Sequence, residues 1–561
     1  MKKIFSLLLV CSFCMLLLVS CGVKESANRE NYETPEIKDN ITDVGNVEVV
    51  YDGIQIELSN EQITVDGVEI TNDSTHSVYV ANDIVYYEDG KDFTYGEGTE
   101  EDAHSKEEAD AHTVVHITQP GQYVLSGCLS KGQIAVDLGE DAEDDPNAVV
   151  TLVLNNIDIT CDVAPAVIFY NVYEPCEANE ETATKDVDTS NAGANVILGD
   201  GSINNVYGSY VARIYKPDSV VLNEDGTEVV DEKKLHKYDA AFYSKMSMNI
   251  DGDTGILNIF ADNEGLDSEL HLTLNGGIIN IESGNDGINT NEDYVSVTTI
   301  NGGILNILVN GATGEGDGID SNGWLVINGG TVNTQACAFS GDAGIDSDMG
   351  IHINGGNVFS TGNMLDRISE SGQTFVVFNL VAHLEGTYYL KDVNGTIIAE
   401  SKPVNDFTYL IISNENLVAG DYTLWCDNVQ LQGASTGNMG GMMQGGQRPE
   451  MPDGFNPENM TPPANFNPEN MLPMEKSDGE RPIDFNPEIM KPKFEKNEDG
   501  TITLEDGTVM NPSEFGNRNM GRGQAGRGEG DLSKQAIELS DVFTIVDGEN
   551  YFMSVTVKSV E

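Results

Sequence analysis

The chain has 561 residues, 39% of them hydrophobic, so it is long enough for more than one domain and can bury a substantial core. Asp and Glu number 93 against 29 Lys and Arg, a formal net charge of −64. That sign excludes nucleic acid and anionic membrane surfaces as partners and favours cations, as ligands or as bridges to an acidic partner; acidity that only serves solubility explains the same charge.

The first segment, "MKKIFSLLLVCSFCMLLLVSCG", carries Lys2 and Lys3 ahead of a short apolar run and reads as a targeting signal. It ends in Leu18-Val19-Ser20-Cys21-Gly22, which resembles a bacterial lipobox. The resemblance implies acylation of Cys21, removal of residues 1–20, and a lipid anchor on the extracellular face of the bacterial cell membrane. Ordinary secretory cleavage is the alternative. Residues 21–45 are polar and without periodicity, a flexible tether. Residues 46–110 are a strand-rich N-terminal segment or cap, ending in a charge run (97–110) expected to be a solvated loop.

From 111 to 364 the strands are short, β-branched and alternating, with Gly, Asn and Asp between them. "NGG" recurs at 275, 301, 328 and 354. Aligned on it, Leu274, Ile300, Ile327 and Ile353 form one apolar column, and Ile279, Leu305, Val332 and Val358 another. A second motif, "GDGID" at 316–320 and its relatives, aligns Leu266, Ile288, Ile319 and Ile345. A period of about 26 residues with Gly/Asn corners is that of one coil of a stacked fold; a β-propeller needs roughly 40 or more. The fold class expected from this period is all-β, a parallel β-helix.

Beyond 364 the texture changes. Residues 365–435 read as antiparallel hairpins of a small β unit. Residues 436–534 are rich in Gly, Met, Asn and Pro, with "FNPENM" at 455 and 466 and "FNPEIM" at 485, and read as a disordered insertion. The final hairpin, 535–561, completes the β unit.

Stacked coils place equivalent residues about 4.8 Å apart. The "GDGID" relatives then align Glu264, Asp286 and Asp317, with Asp342 beside Ala343 in the last turn. Further columns are Asp267, Asn289, Asp320 and Asp346, and Glu269, Asn291, Asn322 and Asp348. Carboxylates at that spacing must be hydrated, protonated or neutralised. No Lys or Arg occurs between Lys245 and Arg367. Ca²⁺, which takes six to eight oxygens, suits this donor set, with Glu264, Asp267, Asp286, Asn289, Asp317, Asp320, Asp342, Asp346 and Asp348 as candidate ligands. The alternative is that Asp, Asn and Gly only make tight corners, their carboxylates solvated by water. A phosphate-cradling loop fails, because no helix with a Lys follows the Gly-rich turn. Repetition in every coil argues for architecture more than for one catalytic place.

"GQYVLSGCLSKGQIAVDL", "VVTLVLNNIDIT", "AAFYSKMSMNIDGDTGILNIFA" and the repeated DGI(D/N) and INGG motifs, in that order, resemble the carbohydrate-binding β-helix family of clostridial secreted proteins. The resemblance implies a right-handed parallel β-helix similar in fold to pectate lyases, Ca²⁺ binding, and binding of acidic plant polysaccharide such as polygalacturonate, or of cellulose, without established catalysis. The expected function is therefore a non-catalytic surface lipoprotein that binds acidic plant cell-wall polysaccharide through a Ca²⁺-stabilised scaffold. No sugar-contact residue follows from the resemblance. Trp324 is a candidate ring stack, or a packed corner. Alternatives are a surface adhesin or stalk with no glycan role, and a pectin-degrading hydrolase or lyase.

Overall fold

The structure, a computed structural model, describes residues 51–369, 371–436, 494–496, 502–504, 509–510 and 539–558. The signal peptide, Cys21, the tether and the FNPE repeats lie outside the described residues.

The chain is almost entirely β, with large sheets dominated by parallel pairing. The repeat generates that pairing. Within one repeat, His271–Leu274 is followed by the NGG corner, then Ile278–Ser283, then the second corner, then Ile288–Thr290. Each strand pairs in parallel with its counterpart in the next repeat: Leu274 with Ile300, Ile279 with Leu305, Ile288 with Ile319. Three ladders result, and they follow the alignment read from the sequence. The apolar columns point inward, Leu274, Ile300, Ile327 and Ile353 each at 1% exposure or less. Burying such a side chain contributes about 1.5–3 kcal/mol, so the columns are the main cohesive term between rungs. A register specifies which residues stack; the right-handed parallel β-helix expected from the sequence goes beyond it.

The NGG corner has a mechanical cause. Its second glycine takes a left-handed conformation every time (φ +80° at Gly277 and Gly303, +79° at Gly330, +84° at Gly356), where a side chain is disfavoured. The Asn side chains join rung to rung, each amide donating to the preceding carbonyl at 2.9, 3.0 and 2.9 Å from Asn301, Asn328 and Asn354.

Parallel stacking begins earlier than the sequence suggests. Ile54–Leu58 pairs in parallel with residues 123–127, so the N-terminal segment is itself a rung. Thr64–Val65 then turns back antiparallel on it and begins to cover that edge. The charge run is not wholly a loop. Lys106–Asp110 is a helical turn, because Ser105 accepts from the Glu108 N–H while the Glu108 carboxylate accepts from the Ser105 N–H.

At the far end Asn357–Gly362 pairs antiparallel with Tyr409–Ser413, which stops the parallel stack. Glu549–Val557 lies parallel to Phe375–Leu380 and antiparallel to Val429–Ser435. Phe378, Phe543 and Phe552 pack ring on ring at centroid separations of 4.9–5.6 Å. Residues 439–538 form a separate unit. In it Phe494–Lys496, Ile502–Leu504 and Val509–Met510 make a small antiparallel sheet, where the sequence suggested only disorder. The alternation Ile502-Thr503-Leu504 ahead of Asp506-Gly507 is a hairpin signal that the compositional bias of the region outweighed.

Candidate functional site

The third ladder presents the carboxylates. Its corner glycines pack too closely for a side chain: a Cβ on Gly287 would lie 2.2 Å from Ile307 Cγ2 and 2.6 Å from the Gly318 carbonyl oxygen. Backbone bonds tie the same corners across rungs, from Gly265 N–H to Asp286 O and from Gly287 N–H to Asp317 O, both at 3.0 Å. Glycine and isoleucine therefore do the structural work of the motif. The acidic side chains beside them add bonds of their own to backbone N–H groups of the neighbouring rung.

Two clusters emerge, each bringing carboxylate oxygens within 4.8 Å of one another. The first joins Glu264 and Asp267 to Asp239, all buried. The sequence reading missed Asp239 because "YDAAF" has no corner glycine. Its signal is positional: Ala240 pairs with Glu264, which sets Asp239 one step from that rung's carboxylate. The second cluster is Asp317, Asp320 and Asp346, all half-buried. Asp286 and Asp342 accept from the Asp317 N–H at 2.7 Å and the Gly316 N–H at 2.6 Å, and Asp317 itself accepts from the Ala343 N–H. Asn289 donates to Glu264 at 3.2 Å. Asp348 is exposed. Asp366, also missed, accepts from the Ser347 N–H at 3.1 Å, and its charge raises the pKa of Asp346 and Asp320. Trp324 is half-buried at the start of Trp324–Ile327, between Val297 and Gly350 of the neighbouring rungs.

The electrostatics follow from burial beside like charges. Asp317 is pushed up to about 10 by burial and then by Asp286 and Asp346. Asp346 rises to about 8 through burial and Asp366, Asp286 to about 7 and Asp320 to about 6, burial leading in each. Burial and the Asp239 charge hold Glu264 and Asp267 well above the ordinary range. Lys237 approaches the first cluster, pairing with Asp239 at 2.5 Å. Polar atoms are left over even so. Glu264 Oε2, Asn289 Oδ1 and Asp346 Oδ1 are buried with no hydrogen-bond partner. A buried unpaired oxygen costs about 1–3 kcal/mol. Each cluster is an all-oxygen donor set, the chemistry that holds a hard divalent cation and not a thiophilic one.

Comparison with known proteins gives a class of function. Residues 110–358 match the model of a family described as carbohydrate-binding domain-containing protein, which supports carbohydrate binding and favours binding over catalysis. A solved structure, titled the polysaccharide lyase-like protein from C. thermocellum, gadolinium derivative, aligns at 19% identity and a TM-score of 0.30, covering 57% of this chain and 92% of its own. No curated protein matches the chain.

Proposed function

We propose that the chain is a non-catalytic, lipid-anchored surface protein that binds acidic polysaccharide of the polygalacturonate type, with Ca²⁺ on the third ladder. The scaffold in this reading is a right-handed parallel β-helix whose coils are the stacked rungs. Cys21 carries the anchor that holds it on the outer face of the cell membrane. The observation that supports the cation is the set of orphaned oxygens, Glu264 Oε2, Asn289 Oδ1 and Asp346 Oδ1, buried among carboxylates.

The two clusters divide the work. Asp239, Glu264 and Asp267 are buried, so a cation there ties rungs together and reaches no ligand. Asp317, Asp320 and Asp346 are half-buried, so a cation there keeps coordination positions open to solvent or to a uronate carboxylate. That bridge resolves a conflict of charge, since a chain of −64 and a polyanion repel without a divalent ion between them.

The test is retention of the full chain, in mild detergent, on immobilised polygalacturonate with Ca²⁺ or with chelator. Retention with Ca²⁺ and release by chelator are expected. Retention unchanged by chelator removes the bridge. No retention under either condition, on this or any plant glycan, favours the adhesin or stalk. Release of reducing ends or of unsaturated products would establish an enzyme instead.

A further inference from the structure

The ladders repeat, and one segment does not. Between Ile203–Gly208 and Ala240–Ser244 the chain leaves the stack for an antiparallel arm, Val211–Tyr215 paired with Lys234–Tyr238. The returning strand of that arm walls a cleft of about 580 Å³, which Tyr170, Tyr243 and Lys245 also line. Small-molecule sites typically span about 300–1,000 Å³. A regular stack offers flat faces, and this interruption supplies a concave one.

Three lysines meet at the cleft, in a chain where acids outnumber bases 93 to 29. Lys234, Lys237 and Lys245 line it together with His116 and His236. Six carboxylates line the cleft as well, and hydrogen bonds fix the positions of four of them. Glu269 accepts from Lys234 at 2.9 Å and from the Tyr243 hydroxyl. Glu174 accepts the N–H groups of Cys176 and Ser247 at 2.9 and 2.5 Å. Asp137 accepts from the Asn171 amide at 2.8 Å, and Asp83 pairs with His116 at 2.8 Å. Glu143 and Glu292 also line it and are exposed, so an anionic group is favoured only on the lysine side.

Lys245 differs from the other two lysines. Lys234 pairs with Glu269 and Lys237 with Asp239, whereas Lys245 is exposed and has no ion-pair partner among the described residues. In a chain with 93 acidic side chains, an ammonium left unpaired inside a concave wall is poised for an anion from outside. Beside it are groups suited to a sugar. Tyr170 is half-buried with its ring edge-to-face on Tyr238 at 5.6 Å, and a His236 ring nitrogen lies 2.7 Å from the Tyr238 hydroxyl.

We infer that this cleft seats a uronate residue of the polysaccharide, its carboxylate on Lys245 and its ring and hydroxyls against Tyr170 and His236. The inference rests on the polysaccharide reading and adds to it the place and the group that recognise the sugar. The arm walls the site, which adjoins the acidic ladder through Lys237, paired with Asp239, and through Glu269.

The experiment titrates trigalacturonate, and its fully methyl-esterified form, into the full chain in detergent with Ca²⁺ by calorimetry. Lys245→Gln removes one charge-assisted bond, so its affinity for trigalacturonate falls about tenfold. Its affinity for the ester and its thermal midpoint stay at wild-type values, and Lys245→Arg restores acid binding. His236→Ala weakens both ligands. Lys245→Gln that binds trigalacturonate like wild type, while the wild-type chain is still retained on polygalacturonate, overturns the cleft and leaves the polysaccharide reading standing. A wild-type chain that binds neither polygalacturonate nor trigalacturonate overturns both. Equal losses for acid and ester in Lys245→Gln overturn the carboxylate assignment.

Discussion

Asp317 accepts the Ala343 N–H through one carboxylate oxygen at 2.5 Å, and an amide at that position keeps the bond. Asp317→Asn therefore separates charge from shape. Without a cation at pH 7 the native carboxyl, pushed up to about 10 by burial and by Asp286 and Asp346, must take up a proton on folding. The amide needs none. Asp317→Asn is expected to raise the chelated protein's thermal midpoint, by more than the ~1.4 kcal/mol that one pKa unit represents. It is also expected to weaken calcium by about tenfold or more, because a charged ligand is lost. Thermal melts with chelator and across a calcium titration check both signs. A variant that keeps the full calcium response shows that Asp317 is no ligand. Asp320→Asn has the same pair of effects, smaller in the chelated state, since Asp320 rises only to about 6.

At the scale of the element, the corners carry the fold and the acids carry the chemistry. Gly287→Ala drives a methyl to 2.2 Å from Ile307 Cγ2 and 2.6 Å from a backbone oxygen, and overpacking of that kind costs about 1–3 kcal/mol. Gly341→Ala meets nothing within 4 Å and should stay within about 0.5 kcal/mol of wild type. Denaturant midpoints of the two variants measure the contrast, and equal midpoints would show that the corner yields. This division also explains what the sequence made legible. Stacked columns repeat the same residue type at a fixed offset, so Leu274–Ile300–Ile327–Ile353 and Asp267–Asn289–Asp320 could be aligned before any coordinates. Asp239 and Asp366 were invisible because neither sits in a repeated motif; register alone brings Asp239 to Glu264. The arm at 211–238 repeats nothing, and a cleft depends on non-repeating contacts that no periodicity encodes.

At the scale of the whole molecule, the clusters make stability depend on pH in a direction opposite to the usual carboxylate. Asp320, Asp286, Asp346 and Asp317 rise to about 6, 7, 8 and 10, against an ordinary aspartate value of 3.8. A carboxyl whose pKa is raised by folding binds more protons native than unfolded between those two values. Stability then falls as pH increases across that window. The chelated chain should be most stable near pH 4 and lose stability in steps between pH 4 and 8, with Asp317 extending the loss toward 10. Calcium bound as proposed would displace those protons and hold the charged forms, so its stabilisation should grow with pH over the same range. Surface repulsion from a net charge of −64 also destabilises the chain as it ionises, and salt separates the two causes. In 1 M NaCl the Debye length is about 3 Å, which screens exposed charges and leaves buried pairs largely unscreened. Melts of the full chain from pH 4 to 9, in chelator, in chelator with 1 M NaCl and in millimolar Ca²⁺, should show partial recovery by salt and a larger recovery by calcium at high pH. Salt that restores as much as calcium does at pH 8 would place the destabilising charge on the surface and leave the ladder carboxylates without an ion to hold.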